Sequence, residues 1–112
     1  MTEAAQPQRT VVVLADDLIW ATRLADALSA AGSRPLRVRR IADLEAALSP
    51  AGDGTGLAII DLTARAYDGV EAVRAAAGAG ARVVAVGQHD DAPLRRAALE
   101  AGAERVFTYR AL

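Results

Sequence analysis

A chain of 112 residues, 53% hydrophobic and 24% charged, is one globular domain's worth, long enough to bury a core unaided. It has no cysteine and no lysine, all 13 basic residues being arginine, which excludes disulfide scaffolds, thiolate metal sites, thiol catalysis, Schiff-base chemistry and a P-loop lysine. The net charge of −1 gives no support to bulk binding of nucleic acid or an anionic membrane, and no apolar run approaches the roughly 20 residues of a membrane span.

Residues 1–9 form a polar lead with no signal-peptide core, expected to be disordered, ahead of a single cytoplasmic domain over residues 10–112. Thr10–Ala15 (TVVVLA) is a β-branched apolar run of the kind buried on both sheet faces, and it ends at Asp16-Asp17. Leu18–Ala31 has apolar residues at helical spacing (Ala21, Leu24, Ala25, Leu28), with Gly32 placed to terminate it. Pro35–Arg39 alternates apolar and basic residues, as a strand with one solvated face does. Ile41–Leu48 is a short helix, stopped by Ser49-Pro50 and a Gly-rich loop over Ala51–Gly56. Leu57–Ile60 is a second fully apolar strand, ending at Asp61. Beyond the loop Leu62–Asp68, a third helix spans Gly69–Ala77 and a buried strand Arg82–Val86. Asp90 or Asp91 can cap a fourth helix, which carries Pro93 in its first turn and ends at Gly102. Glu104–Thr108 is a fifth strand.

Strands alternating with helices imply right-handed βαβ units and an α/β fold with a parallel sheet. The amphipathic second strand belongs at an edge, which gives the flavodoxin-like order 2-1-3-4-5 with only four helices. In such sheets function gathers at the carboxyl ends of the strands. Strands 1 and 3 are neighbours there, so Asp16, Asp17 and Asp61 would meet in one crevice. Carboxylates crowded together raise one another's pKa unless a cation sits among them, and an all-oxygen donor set suits Mg²⁺. The plainer alternative makes two of the three helix or loop caps.

Three segments in order carry a family resemblance that covers Val11–Arg110. They are the acidic pair after VVVLA, the stretch LAIIDLTARAYDG (Leu57–Gly69) and the stretch LEAGAERVF (Leu99–Phe107). Together they resemble a response-regulator receiver domain of the CheY-like type. The resemblance implies Asp61 as phosphoacceptor, with Mg²⁺ held by Asp17, Asp61 and the Thr63 carbonyl and by Asp16 through water. It also implies a histidine kinase or signalling scaffold as partner, in a two-component phosphorelay. Departures from the family pattern are as informative. Where the family has a Ser or Thr at the end of strand 4 this chain has Gly87, and where it has a Lys at the end of strand 5 this chain has Tyr109. The family's loop proline is Arg65. Codon drift would turn Lys into Arg, not Tyr. The expectation is therefore a non-enzymatic pseudo-receiver that works by binding, with a working phosphoacceptor as the alternative.

The resemblance also calls for a fifth helix, and only Tyr109–Leu112 follow the last strand. Half of one sheet face would then be uncovered, and a homodimer through that face is expected. Trp20, in the first turn of the first helix, either joins the buried stripe of Leu24 or anchors a partner. Other features point to less. Arg34, Arg37, Arg39 and Arg40 read as charge protecting an edge strand or as contact for an acidic partner, and His89 as a loop residue. The Gly-rich stretches 53–56 and 78–81 precede strands, at the wrong end of the sheet to hold phosphate. A flavodoxin-like nucleotide binder needs a Gly-rich turn after strand 1, where this chain has Asp16-Asp17-Leu18-Ile19.

Overall fold

Apolar strands that alternate with amphipathic helices have one economical arrangement, a central sheet with helices on its faces, and the chain adopts it. The structure, a computed structural model, describes residues 9–48, 56–88 and 91–111. The N-terminal lead up to residue 8, the loop over residues 49–55, His89 and Asp90 lie outside the described residues. Five strands, β1 (Thr10–Leu14), β2 (Arg34–Val38), β3 (Leu57–Asp61), β4 (Arg82–Gly87) and β5 (Arg105–Thr108), form one sheet. All neighbours are parallel and the order is β2-β1-β3-β4-β5, as expected from the sequence. The helices are α1 (Leu18–Ala30), α2 (Ile41–Leu48), α3 (Gly69–Gly78) and α4 (Ala92–Ala101), and a 3₁₀ turn over Tyr109–Ala111 follows β5. None of the helices is long and apolar enough to cross a membrane.

Boundaries differ from the sequence reading by a residue, for identifiable reasons. β2 starts at Arg34 because that residue's N–H donates to the Arg9 carbonyl, 2.7 Å away. β3 and β4 each run one residue further, to Asp61 and Gly87, because Asp61 is still in register with Val86 and the Leu62 N–H donates to the Val86 carbonyl at 2.8 Å. The helix ends obey local capping chemistry. Asp17, Asp68 and Asp91 each accept hydrogen bonds from first-turn amides of α1, α3 and α4. Gly32 follows α1 at φ +88°, the left-handed conformation that an exit of this kind favours in glycine.

Strand alternation divides the core in two. Val12, Leu14, Ala58, Ile60, Val83 and Ala85 pack against Leu44 and Leu48 of α2, Val73 and Ala76 of α3 and Ala98 of α4. Val11, Val13, Ile59 and Val86 point the other way, onto Leu24 of α1 and Tyr109. The first face carries three helices. On the second, α1 lies over β1 and β2 and reaches β3 only where Leu24 packs with Ile59. Leu57, Val84 and Phe107 are accordingly only partly buried.

Candidate functional site

The carboxyl ends of β1 and β3 bring Asp16, Asp17 and Asp61 to one end of the sheet, and local hydrogen bonding decides what each carboxylate does. Asp61 is 1% exposed, the one buried charged side chain among the described residues. Its Oδ1 accepts from both the amide and the hydroxyl of Thr63, each at 2.8 Å. Its Oδ2 is buried with no partner. Burial pushes the Asp61 carboxyl above the usual carboxylate range, and the charges of Asp16 and Asp17 push the same way, against the two Thr63 hydrogen bonds.

Asp17 accepts from the Trp20 amide at 3.1 Å and caps α1. Asp16 Oδ2 accepts from the amides of Arg65 and Ala66, both at 3.0 Å. This capture depends on a departure from the family pattern: a proline at position 65 would have no N–H to give. Two of the three carboxylates are therefore caps, the plainer of the two sequence readings. The donor chemistry suits a hard cation, but the side chains are not gathered for one: no group of three potential metal-ligating side chains converges among the described residues. Thr63, expected to offer its carbonyl, also donates its amide and hydroxyl to Asp61, which leaves the carbonyl oxygen uninvolved in that contact.

Tyr67 is a site residue that the sequence reading passed over. Its hydroxyl lies 2.9 Å from the Leu14 carbonyl oxygen and 2.8 Å from that of Asp61, one proton shared between the ends of β1 and β3. Burial, then the Asp61 charge, pushes its phenol upward, so it stays a donor. The signal available was a single aromatic in an otherwise small and polar loop.

The opposite wall departs furthest from an anion site. Gly87, at the end of β4, offers no side chain. Tyr109 follows β5 and is 4% exposed, with its ring stacked on Trp20 at 4.1 Å between centroids and 19° between planes. Its buried hydroxyl faces the Asp61 carboxylate, whose charge, after burial, pushes the phenol upward, although no well-aligned hydrogen bond joins the two. Trp20 is half-buried, and the Arg23 guanidinium sits 5.1 Å from its ring centroid. The tryptophan thus joins the core through Tyr109 and Leu24. The fully exposed apolar residues at the start of α1 are instead Leu18 and Ile19, which the sequence reading did not single out.

No family model and no curated protein matches this sequence. Solved structures do match its fold. FixJ-N superposes with a TM-score of 0.77 over 93% of this chain and 83% of its own, at 22% identity. The BeF₃-activated N-terminal receiver domain of Klebsiella pneumoniae RstA gives 0.76 over 89% and 85%, at 20% identity. A response regulator protein from Burkholderia pseudomallei, solved with a phosphorylated aspartic acid, a calcium ion and citrate, gives 0.76 over 94% of this chain but 62% of its own, at 18% identity. The chain has the fold of a response-regulator receiver domain. On that receiver fold Asp61 stands at the end of the third strand, between the β1 acidic pair and the Gly87–Tyr109 wall. The receiver crevice here is acidic on one side and sealed by an aromatic stack on the other.

Proposed function

We propose that this chain is a pseudo-receiver, a non-enzymatic interaction module of bacterial two-component signalling in the cytoplasm, which acts by binding and is not switched by phosphorylation. The observation that carries this reading is Tyr109. At the position where the resemblance calls for a cation, a neutral phenol lies buried in a stack with Trp20. A phosphoryl group arriving at Asp61 brings negative charge that must be met by fixed cations or donors. This crevice offers Gly87, a captive tyrosine hydroxyl and two more carboxylates. Binding partners would be a histidine kinase or a signalling scaffold.

One observation favours the rival reading, a working phosphoacceptor in a phosphorelay: Asp61 Oδ2 has no hydrogen-bond partner to lose. Incubation with Mg²⁺ and beryllofluoride or acetyl phosphate, followed by intact-protein mass spectrometry, separates the two. The expected result is no adduct. A stable adduct that disappears in Asp61→Asn overturns the pseudo-receiver.

A further inference from the structure

The bare half of the second sheet face has a shape and a charge pattern that no residue of the crevice uses. Strands of a parallel sheet are normally covered on both sides, yet beyond Ile59, which packs with Leu24 of α1, the residues Leu57, Val84 and Phe107 are only partly buried. A groove of about 590 Å³ runs along this boundary, floored by Leu24, Leu28 and Ile59 and closed at one end by Trp20 and Tyr109. Its rim is basic. Arg23 and Arg110 line it, and strand alternation puts Arg105 on the same face as Phe107. All three are exposed, and none forms a salt bridge among the described residues. Arg82, on the same face, is by contrast held by both oxygens of Glu104 at 2.9 and 3.0 Å.

We infer that this groove docks an amphipathic α-helix of a partner protein whose apolar stripe is flanked by carboxylates. An apolar floor asks for an apolar stripe, and exposed guanidinium groups at its border, Arg23 over the Trp20 ring with Arg105 and Arg110 beside it, ask for carboxylates. The same rim speaks against a second copy of this chain, the occupant expected from the sequence. A face-to-face two-fold would set arginines against arginines over the same apolar floor, a juxtaposition that costs affinity. The inference rests on the interaction-module reading only in naming its surface. An adduct at Asp61 would remove the pseudo-receiver and leave the groove as it is.

The test uses the full chain and two synthetic helical peptides sharing a leucine stripe at i, i+3, i+4 and i+7, one flanked by Glu and the other by Lys. Trp20, the only tryptophan of the chain and part of the groove wall, reports binding by its fluorescence, and sedimentation reports mass. The Glu-flanked peptide is expected to shift Trp20 emission and to bind the 11.6 kDa monomer. The double variant Arg23→Glu/Arg110→Glu, with unchanged circular dichroism, should weaken that binding by about tenfold or more. Three results would overturn the inference: no binding of the Glu-flanked peptide, equal binding of the Lys-flanked one, or indifference to the charge reversal. A dimer at micromolar concentration that excludes the peptide overturns it too, and assigns the face to a second copy.

Discussion

Asp61→Asn is expected to stabilise the protein by about 1–3 kcal/mol at neutral pH, the usual cost of a buried polar group left without a partner. In Asp61→Asn the amide oxygen keeps the role of acceptor from Thr63, and the charge that burial penalises is gone. The pH dependence has a definite sign. An unfolded aspartate titrates near about 4, whereas burial raises the folded Asp61 above that. Between the two values the folded state holds more protons than the unfolded one, so wild-type stability falls as pH rises through this window. Below it Asp61 is protonated in both states and the penalty is gone. Urea midpoints measured across pH should therefore converge for wild type and Asp61→Asn at the acid end and separate as pH rises. A variant no more stable than wild type at pH 7 would contradict the buried, unpaired Oδ2.

Gly69→Ala is expected to destabilise the protein by about 3 kcal/mol, or roughly 10–15 °C in thermal midpoint. A Cβ at position 69 would lie 2.6 Å from the Leu62 Cα and 2.8 Å from its carbonyl oxygen. That neighbour is backbone and cannot swing aside. It is also tethered, because the Leu62 amide donates to the Val86 carbonyl at 2.8 Å. The contrast is Gly78, at the other end of the same helix, where an added Cβ meets nothing within 4 Å. Gly78→Ala should be neutral or gain about 0.5–1 kcal/mol from the lower backbone entropy of alanine. Thermal melts of the two variants side by side check the packing of α3 against the end of β3.

What the sequence disclosed and what it withheld divide along physical lines. Period-2 and period-3.6 patterns report burial, so TVVVLA, LAII and RVVAV announced central strands and the weaker PLRVR announced an edge. Crossover handedness and short connections then left little freedom in strand order. Asp16, Asp17 and Asp61 were legible as a crevice because strand ends converge there. Their individual hydrogen bonds were not, because these depend on loop backbone direction: the Arg65 and Ala66 amides come from some 50 residues away in sequence. Tyr109 was legible as the wrong residue for an anion site, but its stack with Trp20 required the 3₁₀ turn after β5, which no periodicity reports. Gly69 matched a family spacing, and the reason glycine is needed there became visible only as a contact with Leu62.

The one-sided cover of β3–β5 also sets the order in which the molecule breathes. β1 and β3 each pair with two strands, whereas β5 pairs with β4 alone and keeps three of its four residues only half-buried. Under native deuterium exchange, the amides of β5 should open by local fraying, while those of β1 and β3 wait for global unfolding. A helix seated in the groove would share its binding free energy with every opening that dismantles its lining, and so should slow exchange first in α1 and in the turn that carries Tyr109. An exchange map taken with and without a partner would trace the partner's footprint even while its identity is still open.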